Sequence, residues 1–173
     1  MIQIFNQMIR AAKLDSSLYE EVEAYTDALL PAMTVILISS IAAGIGTIPE
    51  RGPSGIVIGT LAALISWFIW SFLTFFIGTK LLPEAQTEAD LGQLLRTIGF
   101  SSSPGVIRIL GLIPVLGAVV FAIASVWSLI AMVVAVRQAL DYTSTVRAVM
   151  VCILGWIVQI ITLALLFILV PAN

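Results

Sequence analysis

The sequence predicts an all-α fold: a polytopic membrane helical bundle with five membrane-penetrating helices, the third and fourth forming a short hairpin, plus amphipathic interfacial helices. Three observations predict it. First, eight basic and ten acidic residues are confined to short stretches, which leaves charge-free runs at 28–49, 52–79, 109–136 and 148–173. Each is at least as long as the roughly 20 residues that cross a hydrocarbon core as helix. Second, the runs are evenly apolar and do not alternate as barrel strands do; in lipid the backbone must then pair within each segment. Third, Lys and Arg divide asymmetrically between the two sides once the chain is threaded, as the positive-inside rule requires.

The elements follow in order. Residues 1–29 form a cytoplasmic amphipathic part. Ile2, Phe5, Ile9 and Ala12 recur at helical spacing, which suits a helix lying on the membrane surface or a packed terminus. No unbroken apolar stretch with a small-residue cleavage site precedes it, so the terminus is expected to be retained. A second helix starts at Asp15 or Ser16, with Ser17 and Glu20 as a capping box and Leu18, Val22, Tyr25 and Leu29 as its apolar stripe. The membrane domain, 30–173, has spans at about 32–48, 56–78, 104–115, 117–136 and 148–170. Pro31 sits in the first turn of the first span, where a missing N–H costs nothing. Between spans two and three, Leu91, Leu94, Leu95 and Ile98 share one face of an interfacial helix closed by Gly99 as a C-cap.

Residues 104–136 are too long for one crossing and short for two, and Gly111, Pro114 and Gly117 cluster inside them. Pro114 removes a helical bond and clashes with the preceding turn, so a reversal is expected there. A single crossing would divide Lys and Arg five to three; a hairpin divides them seven to one, with Arg51 alone outside. The hairpin is therefore preferred, with the amino terminus cytoplasmic and the carboxyl terminus on the far side.

Few groups in the apolar runs can carry chemistry. Arg108 lies within a membrane segment, four residues past Pro104, where its guanidinium could snorkel to cytoplasmic headgroups. Gln159 is too deep to snorkel. With Cys152, Gly155 and Thr162 it forms a face expected to pack on a neighbouring helix, with the amide hydrogen-bonded across. Ser40 and Gly44, with Ala43 and Gly46 nearby, make a small-residue seam in the first span, and Ala124, Ser128, Ala131 and Ala135 make another. Gly44, Arg108, Pro114, Gly155 and Gln159 are thus the candidate packing or interaction residues. The aromatics of the second span, Trp67 to Phe76, read as lipid and packing contacts.

The chain has no histidine and one cysteine, which argues against haem, chlorophyll or zinc sites; no cofactor is expected. The net charge of −2 without a basic cluster argues against nucleic acid and against a strong anionic-lipid anchor. No predicted span contains Asp, Glu or His, the usual relays of ion-coupled transport. No catalytic constellation can be assembled, so an enzyme is not expected.

Ile98-Gly99-Phe100 followed by Pro104, then Leu110-Gly111-Leu112-Ile113-Pro114, resembles the Yip domain family, the Ypt/Rab-interacting membrane proteins. Trp127, Arg137-Gln138-Ala139-Leu140 and Arg147-Ala148 are similar to that family's fourth helix and following loop. The resemblance covers about 14–167 and implies five helices and a cytoplasmic amino terminus. The family's long cytoplasmic amino terminus and its Asp-Leu-Tyr-Gly-Pro motif are missing, so Rab binding is not carried over. A compact prokaryotic-type member is implied, in a prokaryotic plasma membrane. The expected function is a scaffold or accessory module, a homo-oligomer or a subunit of a larger membrane complex in the lipid bilayer. The alternative is an uncoupled channel or facilitator for a small solute, suggested by the broken 111–117 turn and Gln159.

Overall fold

The computed structural model describes residues 2–113 and 115–169, leaving aside the side chains at 50, 51, 54 and 162–169. The fold is all-α, and three of its helical stretches, Thr26–Gly46, Gly55–Leu81 and Gly117–Ala139, are long and apolar enough to cross a membrane. Thr145–Ile161 is apolar but shorter, and belongs to α8, Thr145–Leu169.

The amino-terminal part folds as two docked helices. Helix α1, Ile2–Ala12, buries Met8 and Ala11 while Ile2 and Phe5 point outward. Helix α2, Ser16–Ala24, is capped by Asp15, whose carboxylate accepts from the Ser17 amide. Of the two expected start signals Asp15 is the one formed, and its carboxylate is also held by the Arg10 guanidinium at 2.7 Å. Leu18, Tyr19 and Val22 are buried, but Tyr25 lies beyond the helix end and is exposed. The apolar stripe is therefore shorter than its spacing suggests.

Helix α3, Leu29–Gly46, leads through the short helix α4, Ile48–Arg51, and Gly52 at φ 70° into α5, Ser54–Phe76. The two long helices are antiparallel, since Gly44 faces Ile56 and Ser40 meets the Thr60 hydroxyl. α5 ends in a π-helical turn, Ile77–Leu81. Such turns leave carbonyls that need other partners. The Tyr142 hydroxyl supplies one, lying 2.7 Å from the Leu82 carbonyl and 3.0 Å from that of Gly78.

Helix α6, Leu91–Ser101, opens on a full capping box of Asp90 and Gln93. It runs through Gly99 instead of stopping there. A Cβ at that position would lie 2.7 Å from the Ala32 Cβ, so the glycine serves close approach to α3 and not termination. The expected third span begins where α6 ends, but it forms a 3-10 helix, Ser103–Leu112. At about 2.0 Å per residue its ten residues rise roughly 20 Å, short of a full crossing. It packs along α3, where the Ser39 hydroxyl donates to the Ser102 carbonyl, and against α7, Gly117–Ala139. Pro114, where the reversal was expected, lies outside the described residues.

Burial is concentrated at one end of the bundle. One core joins Met8, Ala11, Leu18, Tyr19 and Phe100 to Val35 of α3; the other joins Trp70, Leu94, Met132, Leu140, Val151 and Cys152. The other half, towards 46 and 117, is more loosely filled.

Candidate functional site: a polar-lined cavity in the bundle

A cavity of about 1110 Å³ lies between α3, α5, the 3-10 helix, α7 and α8. Small residues create it: Ala43 and Gly44 on α3, and Gly55, Gly59, Ala62 and Ala63 on α5, leave room that larger side chains would fill. Its walls are mixed. Trp67, Trp70, Phe121, Met132 and Trp156 supply apolar surface, while hydroxyls, one amide and one guanidinium supply polar groups.

The structure brings three of the candidate residues to this one cavity: Gly44, Arg108 and Gln159 all line it. Gly155 sits at its edge, where a Cβ would come within 3.1 Å of the Trp70 ring. Pro114 is not among the described residues.

Arg108 is placed differently from the snorkelling expectation. Its carbonyl packs against Gly46, at the far end of α3, because the 3-10 helix climbs alongside that span. Its guanidinium turns into the cavity, donates to the Ser125 hydroxyl at 3.3 Å and lies 5.9 Å from the Phe121 ring centre, within cation–π reach. The lining contains no carboxylate among the described residues. Gln159 lines the cavity, and its amide makes no hydrogen bond to the described residues.

Most of the hydroxyls have already donated their protons. Ser39 donates to the Ser102 carbonyl, Ser101 to that of Ile98, Thr47 to that of Gly44 and Ser125 to that of Phe121. Ser66, Ser102 and Ser128 do not. The Ser128 hydroxyl is without a partner and shielded from the cavity's open space, one helical turn beyond Ser125 on α7. Sequence reasoning read Ser128 as part of a small-residue packing seam. The Ser125 and Ser128 spacing of three was the available sign that one polar face, not only a small one, runs along that helix.

A second polar region was not anticipated. Arg96 is buried, and its guanidinium donates to the Val22 and Glu23 carbonyls, which close the carboxyl end of α2. A cation there satisfies orphan carbonyls and the helix dipole together. Beside it, burial and then the nearby Asp141 push the Glu23 carboxyl up from 4.5 to about 7. Across the same face Glu84 accepts from the Thr143 amide and hydroxyl, which hold it down at about 2. Arg147, 3.6 Å away, donates to the Pro83 carbonyl. These bonds fasten the α5–α6 connection to the α7–α8 turn.

The helical bundle and its apolar spans define a membrane protein. A family model, the Yip1 domain, matches residues 10–166, and the chain belongs to that family. Membership agrees with the resemblance carried by the Gly99-Phe100 to Pro114 segment. Among curated proteins and solved structures, none matches. The Yip1 family is not a known enzyme family.

Proposed function

We propose that this protein is a non-catalytic scaffold or accessory module of a membrane complex, with five membrane-penetrating segments and a cytoplasmic amino terminus. One observation carries the reading. α1, α2 and α6 are locked onto one end of the bundle by buried side chains, among them Tyr19, Arg96 and Phe100 at 0–7% exposure. Tying short surface helices down so firmly costs conformational entropy, and that is repaid where a partner meets a preformed surface. The outer face of this platform carries Glu20, Glu21, Asp27 and Asp90, all exposed. It therefore suits a basic partner segment.

Native mass spectrometry in mild detergent tests the assembly. An oligomer or a stoichiometric partner complex is expected; a strict monomer across several gentle detergents overturns the reading. Cysteines placed singly in a Cys152→Ala background test the threading. Ser16→Cys and Thr143→Cys should label from the cytoplasm and Ser54→Cys from outside, and external labelling of Thr143→Cys would restore four spans.

The cavity favours a second reading, an uncoupled facilitator for a small solute. Irregular backbone at membrane depth is tolerated where it borders a water-filled cavity, and the 3-10 helix supplies such backbone. Absence of flux from proteoliposomes would dismiss it.

A further inference from the structure

We infer that the cavity is a binding site for a phosphate-bearing anion, held by Arg108 with Gln159 in the same lining, and that an anionic phospholipid entering sideways from the bilayer is its ligand. The inference is independent of the scaffold role.

Charge comes first. An unpaired cation inside a membrane bundle is costly and ordinarily faces a counter-ion. Arg108 has only the Ser125 hydroxyl and the Phe121 ring, and the cavity lining holds no carboxylate among the described residues. Its Nη2 donates to Ser125, and the Nε and Nη1 protons, which make no hydrogen bond to the described residues, can meet a phosphate's oxygens. The missing partner is thus an anion that the described residues do not provide.

Hydrogen-bond capacity points the same way. Five of the eight hydroxyls in the lining have spent their protons on backbone carbonyls; the donors that remain in the lining include Ser66, Ser102, the Trp156 indole and the Gln159 amide. With the Arg108 guanidinium in the same lining, these groups make a donor-rich site. Such a site suits an acceptor-only group such as phosphate, and a cation would meet an unopposed charge there.

The rest of the cavity specifies an amphiphile. Its volume of about 1110 Å³ exceeds the roughly 300–1,000 Å³ of ordinary small-molecule sites. Trp67, Trp70, Leu129, Met132 and Ile160 offer surface suited to acyl chains. The wall is also open on the membrane side: Ile58, Gly59, Ser66, Ser125 and Trp156 line the cavity and are exposed. Only 11% of the apolar stretch of α5 is buried inside the protein, against 39% for α3. A lipid could therefore reach Arg108 between α5 and α8 while its chains stay in contact with the bilayer.

Tryptophan quenching of the full chain in mild detergent tests this. Three of its four tryptophans line the cavity, so chain-brominated lipids report occupancy directly. Brominated phosphatidylglycerol should quench saturably, and phosphatidylcholine with the same chains at least tenfold more weakly. Arg108→Gln should weaken phosphatidylglycerol binding about tenfold to a hundredfold, the range of a charge-assisted hydrogen bond, and Arg108→Lys should lose less. Inorganic phosphate separates the sources of the anion. Competition with the brominated lipid together with a raised melting temperature would keep the phosphate site but assign it a soluble ligand. Equal quenching of the wild-type protein by both lipids, with no effect of phosphate, overturns the proposal without recourse to any variant.

Discussion

Gly46→Ala puts the closest backbone approach in the protein to a quantitative test. A Cβ built on Gly46 would lie 2.0 Å from the Arg108 carbonyl oxygen and 3.2 Å from the Phe121 ring. Ordinary contact needs about 3.4 Å, so α3 and the 3-10 helix must part by roughly 1.4 Å, and neither neighbour is a flexible chain end. Overpacking of this kind costs about 1–3 kcal/mol. Replacing a helical glycine with alanine returns up to about 1 kcal/mol through lower backbone entropy in the unfolded chain, and less at the last residue of a helix. Packing therefore wins by about 1–2 kcal/mol. For a chain of this size that corresponds to a fall in melting temperature of roughly 2–8 °C. Gly59→Ala is the matched control, because nothing lies within 4 Å of its would-be Cβ; it should melt at or slightly above the wild-type temperature. Melts of both variants in one detergent decide the matter. If Gly46→Ala were as stable as Gly59→Ala, close approach of α3 to the 3-10 helix would not be what that glycine is for.

Other positions give sharper single readouts. Glu23→Gln should raise stability by an amount that grows between pH 4.5 and 7 and is flat above. The native carboxyl holds its proton up to about 7 while the unfolded one releases it near 4.5, so wild-type stability falls as pH rises through that window. The displacement sets a ceiling of about 3 kcal/mol, which solvent access reduces to about 1–2 kcal/mol; a pH-independent difference between the two proteins would refute the assignment. Arg96→Met leaves the Val22 and Glu23 carbonyls without their donor, at about 1–3 kcal/mol for each group left buried. Limited proteolysis between α2 and α3 should accelerate, with Arg96→Lys intermediate; unchanged cleavage would mean that the guanidinium does not hold α2 down. Gln159→Leu should cost almost nothing, because its amide makes no bond to the described residues, whereas Gly155→Leu drives into Trp70 and should cost about 1–3 kcal/mol. The reverse order in a thermal melt would contradict both placements.

The helical architecture was legible because bilayer insertion leaves a coarse signal: charge-free runs of sufficient length mark α3, α5 and α8 to within a few residues, while the run at 109–136 begins in the 3-10 helix, eight residues before α7. Helix caps were harder. Asp15, one of the two start signals the sequence offered, caps α2, but the Ser17 and Glu20 pair does not, and the Arg10 guanidinium that also holds Asp15 from the preceding helix is a tertiary contact no local pattern displays. Gly99 carries a termination signal in isolation, yet α6 continues through it because the missing Cβ admits Ala32. There a local motif was overridden by the neighbour it meets.

The cavity was harder still, for a reason that lies in how membrane helices pack. Small residues permit close approach of backbones, but they equally leave space where no neighbour arrives, and sequence spacing is the same in both outcomes. Gly46 and Gly44 belong to one seam. The first is pressed against the Arg108 carbonyl, while the second meets Ile56 and also borders the cavity. What separates them is the 3-10 helix beside them, which follows α3 closely but is too short to fill the space between α5, α7 and α8. Arg108 is carried on that segment, so the departure from α-helical geometry that leaves the third crossing short is also what delivers a guanidinium to the open side of the bundle. A continuous α-helix there would advance about 1.5 Å per residue in place of 2.0 Å. Over the five residues from Ser103 to Arg108 that amounts to some 2–3 Å, comparable with the length of a hydrogen bond. The position of the charge therefore depends on the segment's helix type and on the glycine beneath it. A Cβ at Gly105 would lie 2.9 Å from Arg108 Nη1, so Gly105→Ala should push the guanidinium away from Ser125 and weaken anion-dependent quenching even though no residue lining the cavity has been replaced.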